Sequence, residues 1–443
     1  MIACKEFLFL HMEKTKREQK TRIRYTILAA VFVNVVINYM DRTNISVAAT
    51  MMSGDLHLNS VQLGLIFSAF GWTYAALQIP GGILADRFGP HVLYSVCLII
   101  WSVATVLQGF AIGFATLFTL RLAIGIFEAP SYPMNNRIVT SWFPDKERAS
   151  AIGMYTSGQF IGLAFLAPLL IALQYYSGWQ GLFIITGIAG VAWGITWYFL
   201  YRDPLSHKKI NGAELDYIET GGGLITRDAE KARQETKFKW KNLKEVFRHR
   251  KLWGIYLGQF CLGSSMWFFL TWFPTYLVKY RGFGFLQSGF LASVPFLAAF
   301  AGILSSGFIS DYMMRKGISA DIARKTPVVT GLLLTVFIIG ANYVDSPALI
   351  ILFMCIAFFG NGFASITWIF VSTLAPKHLV GLTGGVFNFI GNLSAVAIPI
   401  VIGYVARGGN FAPALLIIAC LGIAGVCCYV FLVGKVERIK TEN

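Results

Sequence analysis

Twelve stretches of this chain are apolar for about the thickness of a lipid bilayer, which leaves few folds open to it. They run over residues 25–52, 61–84, 92–112, 116–140, 149–172, 179–200, 252–279, 286–310, 326–344, 347–373, 380–406 and 411–434. Hydrocarbon offers backbone N–H and C=O groups no partner, so only helices and closed barrels cross it. A spanning helix needs about 20 apolar residues. Barrel strands would read as alternating segments of about 10 residues, and the sequence has none. The predicted fold class is an all-α polytopic membrane protein of twelve transmembrane helices. Composition agrees: 13% of residues are charged, against about 25% in soluble domains.

Charge gives the chain its orientation. Of 37 Lys and Arg, 7 lie in the N-terminal 24 residues, 13 in residues 201–251 and 12 in other connections on that same side. Only Lys279, Arg281 and Arg407 lie opposite, and Arg42 and Arg121 fall inside spans. The positive-inside rule then predicts cytoplasmic termini. The net charge of +15 is explained by that bias, and no nucleic-acid partner is expected. The opening MIACKEFLFLHM is not read as a cleavable signal, because its apolar run is short and a basic stretch follows. The seven cysteines fall mostly within spans and are read as small apolar residues. The histidines lie in termini, loops or span ends without metal-ligand spacing, so no metal or cofactor is expected beyond a proton as coupling ion.

The chain divides into a tail (1–24), six spans (25–200), a polar linker (201–251) with short amphipathic pieces, six more spans (252–434) and a second tail (435–443). The halves echo each other. Gly82, Asp86, Arg87 and Gly89 follow the second span, and Gly307 and Asp311 follow the eighth at the same Gly-to-Asp spacing. Gln159-Phe-Ile-Gly162 in the fifth span matches Asn388-Phe-Ile-Gly391 in the eleventh. Repeated six-helix halves place a binding site at their interface near the midplane.

Within the spans almost the only charges are Asp41, Arg42, Arg121 and Glu128. A charge in hydrocarbon costs at least ~2.5–3.5 kcal/mol and persists where it pairs or faces a water-filled route. A static ion-pair network is the competing reading, but buried pairs are poor stabilisers. Helix depth lets Asp41 reach Arg121, and adjacent residues diverge by ~100° on a helix. Asp41 is therefore expected to face the fourth helix and Arg42 a central cavity. Arg42, a planar fork, suits a substrate carboxylate. Asp41 and Glu128 are the expected proton sites: ionised, they compete with the anion for the arginines, and protonation removes that competition. Tyr39, Tyr74, Gln159, Gln259, Ser365, Thr367, Trp368 and Asn388 supply the polar groups and aromatic walls that a polyhydroxy anion needs; each could instead be a helix–helix contact.

The G-x-L-A-D-R-x-G loop from Gly82 resembles the signature loop of the major facilitator superfamily. NYMDRTNIS, RLAIGIFEAPSYPMNNRIVTSWFP, ERASAIGMYTSGQFIG, FFGNGFASITW and GLTGGVFNFIGN resemble its anion:cation symporter branch, most of all bacterial D-galactonate/proton symporters, then hexarate (glucarate, galactarate) and hexuronate permeases. The resemblance covers nearly the whole chain from about residue 25. It implies two pseudo-symmetric six-helix bundles, alternating access, function as a monomer and a place in the bacterial cytoplasmic membrane. It also implies that Asp41 and Glu128 couple protons with Arg121 as partner, and that Tyr39, Tyr74, Gln159, Thr367, Trp368 and Asn388 line the sugar-acid site.

Gating is expected where Asp86 pairs with basic residues such as Arg148, with a second latch at Asp311. Pro90-His91 replaces the family's usual basic pair, and Tyr312 follows Asp311 where an Arg is usual, Arg315 coming later. A membrane enzyme lacks a nucleophile–base or metal constellation here, a sensor would need a signalling module, and a proton-driven exporter of organic cations would favour an acid-dominated cavity without Arg42. The choice among sugar acids, and between proton and sodium, stays open.

Overall fold

The apolar runs leave the backbone nothing to bond but itself, and the chain is helical almost throughout. The computed structural model describes residues 20–225, 240–376 and 379–439. We label the spanning helices α1 (Ile23–Asp55), α2 (60–88), α3 (90–108), α4 (Phe114–Glu128, continuing as Ser131–Trp142), α5 (145–177) and α6 (179–200). In the second half they are α7 (Arg250–Thr271, running on to Tyr280), α8 (Phe285–Arg315), α9 (Ala320–Thr335, tightening to Tyr343), α10 (Pro347–Phe363, resuming at Trp368–Leu374), α11 (Val380–Val405) and α12 (Ala412–Cys427, extending to Leu432).

Among the described residues, ten stretches are long and apolar enough to cross a membrane by themselves. One of them, Asp145–Leu200, breaks at Gly178 (φ 70°) and forms two helices. The more polar α7, with Gln259, Ser264 and Ser265, makes the twelfth. A similar break at Gly89 (φ 77°) separates α2 from α3; glycine alone takes this conformation without a Cβ clash.

Within each half the helices pack closely: α1 against α5, α2 against α4, α3 against α6, α7 against α11 and α12, and α8 and α9 against α10. The two halves meet mainly through α2 with α11, α5 with α8 and α1 with α7. These contacts lie toward the end remote from the termini. Gly64 sits on Pro399 and Gly403, Gly71 on Ala395, and Gly289 on Ile171, and Lys279 hydrogen-bonds Ser53. At the terminus-bearing end the same helices part. A Cβ built at Gly153, Gly307 or Gly385 would meet nothing within 4 Å, and one at Gly82 only Pro133 of its own half. The halves thus close one face and open the other.

The start of the linker is docked on the first half. Helix Gly212–Thr220 is capped by Asn211, whose side chain accepts from the Glu214 N–H at 3.0 Å. Glu214 is fully buried and accepts from Thr21 Oγ1 (2.6 Å), Arg24 Nη1 (2.9 Å) and the Ile23 N–H (3.1 Å). Arg24 also pairs with Glu147 (3.1 Å), which accepts from the Tyr217 hydroxyl (2.6 Å). A second linker helix spans Trp240–Arg248. Residues 1–19 and 226–239 lie outside the described residues, and with them the larger part of the N-terminal tail and the middle of the linker.

Candidate substrate and proton-coupling site

The four intramembrane charges gather between α1, α3 and α4. Asp41, Arg42, Arg121 and Glu128 are each between 0% and 4% exposed. Their convergence depends on how closely α4 approaches α2: a Cβ at Gly125 would collide with Thr73 Oγ1 and the Phe70 carbonyl. Gly125 lies between Arg121 and Glu128, so the missing side chain draws both toward the centre of the first half.

The pairing differs from the sequence expectation. Arg42 faces α4: its Nε donates to Glu128 Oε1 at 2.7 Å, and its Nη2 also contacts that oxygen. Asp41 faces α3: Trp101 Nε1 donates to Oδ2 at 3.0 Å, and Thr105 Oγ1 to Oδ1 at 3.3 Å. Asn44 Nδ2 donates to Oδ1 at 3.5 Å. Arg121 reaches the backbone carbonyl of Asp41 at 3.2 Å rather than its carboxylate. The ~100° divergence of the two side chains is as expected, but α1 is rotated so that Arg42 meets α4, the helix expected for Asp41, and Asp41 meets α3, which is expected for neither. Buried polar residues (Asn38, Asp41, Arg42, Thr43, Asn44 and Ser46) lie nearly all round this part of α1, so the sequence pattern does not fix its rotation.

Aromatic rings enclose the cations. The Arg42 guanidinium lies 4.8 Å from the Tyr39 ring centre, 4.7 Å from Tyr74 and 4.9 Å from Phe70. Arg121 lies 5.2 Å from Phe70. Such contacts are attractive and strengthen where water is excluded. Glu128 Oε2 and Arg121 Nε have no hydrogen-bond partner among the described residues. Buried polar atoms are ordinarily satisfied, so these two atoms of the charged cluster have capacity for a further partner.

The second half contributes a separate group. Trp368, half exposed, stands edge-on to Phe387 at 5.0 Å. With Val371, Ser372, Val380, Gly384, Gly385 and Asn388 it lines a cavity of about 400 Å³ toward the open end. Thr367 Oγ1 donates to Gln259 at 2.8 Å, tying α10 to α7. Asn388 Nδ2 donates to Gln78 of α2 at 2.6 Å, across the two halves. Gln159 and Ser365 are half-buried on α5 and in the tightened turn of α10.

A family model for the Major Facilitator Superfamily matches residues 31–399. The chain belongs to that superfamily. This transporter is 52% identical over 421 residues to the D-galactonate transporter of Escherichia coli O6:H1, covering 94% of this chain and 97% of that one. It is 42% identical to the probable galactarate/D-glucarate transporter of Bacillus subtilis, over 97% and 96% of the two chains. Among solved structures it resembles, at TM-score 0.68 and 21% identity over 94% and 96% of the chains, a bacterial homologue of the human lysosomal transporter Spinster in an inward-facing, occupied conformation; that likeness is one of fold. The protein is a multi-pass membrane transporter, not an enzyme.

Sequence reasoning passed over Trp101, Thr105, Asn44 and Gln78, which hold Asp41 and Asn388. The sequence carries signals for two of them: Trp101 is aromatic with a polar edge in mid-span, and Gln78 directly precedes the Ile-Pro-Gly-Gly run. At the signature loop, the Asp86 side chain lies outside the described residues. Arg148 donates to the carbonyls of Thr140 (3.3 Å) and Gly222 (3.1 Å) and pairs with Asp145, all within the first half and its docked linker. Arg137 instead reaches the Ala85 carbonyl at the end of α2. Arg87 is exposed, with its guanidinium 5.4 Å from the Phe88 ring centre. In the second copy Asp311 is exposed, and Arg315 Nε donates to its backbone carbonyl at 3.4 Å.

Proposed function

We propose that this transporter imports D-galactonate together with protons across the bacterial cytoplasmic membrane, as a monomer, by alternating access. The observation that carries the reading is the buried Arg42–Glu128 pair among the rings of Tyr39, Tyr74 and Phe70. With Glu128 ionised, Arg42 has a partner and the site is neutral. Protonation of Glu128 removes that partner, and the guanidinium fork is free for the substrate carboxylate. Asp41 is the second proton site, steadied by Trp101 and Thr105. Arg121, bonded to the Asp41 carbonyl and two turns from Glu128 on α4, links the two acids. Tyr39, Tyr74, Gln159, Gln259, Ser365, Thr367, Trp368 and Asn388 serve the sugar hydroxyls and walls. The 52% identity to a D-galactonate transporter supports the substrate. The charge bias of the loops supports cytoplasmic termini, so the open face is the cytoplasmic one. Gly82, Asp86, Arg87, Gly89 and Arg148, with Gly307, Asp311 and Arg315, form the gates at that face.

A second reading is a hexarate substrate. Its second carboxylate would find Arg121, whose Nε has no partner among the described residues, and the galactarate/D-glucarate relatives fit it. Uptake into sodium-free proteoliposomes under an inward proton gradient decides between them. D-galactonate should accumulate and titrate the gradient, with glucarate, galactarate and glucuronate as competitors. Accumulation that requires sodium, or that favours a dicarboxylate, overturns the first reading.

A further inference from the structure

The seam between α2 and α11 has a defined inner limit. Gly64, Gly71 and Gln78 recur every seven residues, two helical turns, and so share one face of α2. Opposite them stand Pro399 with Gly403, then Ala395, then Asn388. The first two contacts are small residues that let backbones meet. The third is a hydrogen bond, Asn388 Nδ2 to Gln78 Oε1 at 2.6 Å. It lies ~27 Å from the start of α2 and ~26 Å from the end of α11. Beyond it the helices diverge: a Cβ at Gly82, one turn on along the same face of α2, would meet only Pro133 of its own half, and one at Gly385 would meet nothing.

Asn388 is held from both sides. Its Oδ1 accepts from Asn392 Nδ2 at 3.1 Å while its Nδ2 serves Gln78. A carboxamide has two N–H donors and an oxygen with two lone pairs. One donor and one lone pair therefore remain, and Asn388 lines the cavity beside Trp368. We propose that Gln78 is a positioning residue: it fixes the Asn388 carboxamide so that its free N–H and lone pair meet one substrate hydroxyl, and it ties that orientation to closure of the α2–α11 seam. Asn392 belongs to the same half as Asn388 and moves with it; Gln78 belongs to the other half. Opening the seam removes only the Gln78 support, so the Asn388 carboxamide is fixed in its binding orientation once the seam shuts behind an entered substrate, and loses that support when the seam reopens to the outer side. The substrate part of this inference rests on the sugar-acid reading above.

The test uses the full-length protein and four variants (Gln78→Met, Gln78→Glu, Asn388→Ala and the Gln78→Met/Asn388→Ala double), each checked for a monodisperse peak. Gln78→Met keeps the shape and removes the acceptor; Gln78→Glu keeps an acceptor. Gln78→Met should bind D-galactonate ~5-fold more weakly, the effect of one lost hydrogen bond, and Gln78→Glu should recover most of that. Combined with Asn388→Ala, the Gln78→Met effect should vanish, because the residue it positions is gone. Spin labels at Phe88→Cys and Ile318→Cys, one in each half at the open end, read the seam without ligand. Gln78→Met should shift their distance distribution to shorter values, as the outer-sealed state loses a bond. Unchanged binding by Gln78→Met, additive effects with Asn388→Ala, or an unmoved distance distribution overturns the proposal. A wild-type protein that binds no D-galactonate refutes the substrate reading instead, and the label distances still decide the seam.

Discussion

Arg42 and Glu128 share a carboxylate oxygen at 2.7 Å, while Asp41, one residue before Arg42, turns its own carboxylate to the indole of Trp101. Two neighbouring charges on one helix are thus wired to two different helices. In the proposed scheme, a proton arriving at Glu128 acts on Arg42 directly, whereas one at Asp41 acts through α1 and Arg121.

Glu128→Gln should uncouple the carrier. The amide has Glu128's shape and no charge, so Arg42 stays available whatever the pH. Proton-driven accumulation of D-galactonate should fall at least 10-fold, while exchange of internal for external substrate persists. Counterflow and uphill uptake in the same proteoliposomes check this, and normal uphill uptake refutes it.

Asp41→Asn places an N–H₂ group among donors from Trp101, Thr105 and Asn44. One donor then faces another, and the acid can no longer exchange a proton. Uptake should lose the part of its pH dependence that a proton at this position confers, with binding retained. A variant that still follows the wild-type pH profile removes Asp41 from the coupling scheme.

Arg42→Lys keeps the charge and loses the fork. A lysine cannot make two parallel bonds to a carboxylate, nor stack as a plane among Tyr39, Tyr74 and Phe70. KM for the anion should rise ~10-fold or more, most visibly at saturating proton concentration. Initial-rate measurements at several substrate concentrations settle it.

Glu214→Ala should destabilise the first half without touching the site. The residue is buried, caps the start of α1 and holds Arg24. Its loss takes the acceptor from the Ile23 N–H, leaves Arg24 with Glu147 as its remaining carboxylate and costs about 2 kcal/mol or more. The melting temperature in detergent should drop, while KM for substrate stays near wild type.

His207 packs edge-on to Trp142 at 5.5 Å, and burial, with Lys209 nearby, holds its imidazole below the usual histidine range. The unfolded chain therefore binds the proton more readily. Stability from this group is present above the unfolded pKa and is lost as pH falls through the lower folded value. His207→Gln should flatten the pH dependence of melting between about pH 7 and 5; an identical slope in both proteins refutes the assignment.

The sequence alone determined the element count and singled out four charges buried within the spans. Hydrocarbon length and a lack of charge are local properties, so all twelve spans could be located, and the breaks at Gly89 and Gly178 fall between predicted helices. The four buried charges stood out because each is costly where it lies. Helix rotation and partner choice were decided only in three dimensions. A helix with buried polar groups on several faces carries no single periodic mark of which side meets which neighbour, so only packing decided that Arg42 of α1 meets Glu128 and Asp41 meets Trp101. The same holds for Gln78 and Asn388, which lie 310 residues apart. Their contact exists because small residues along α2 and α11 let two distant helices close as far as that bond and no further.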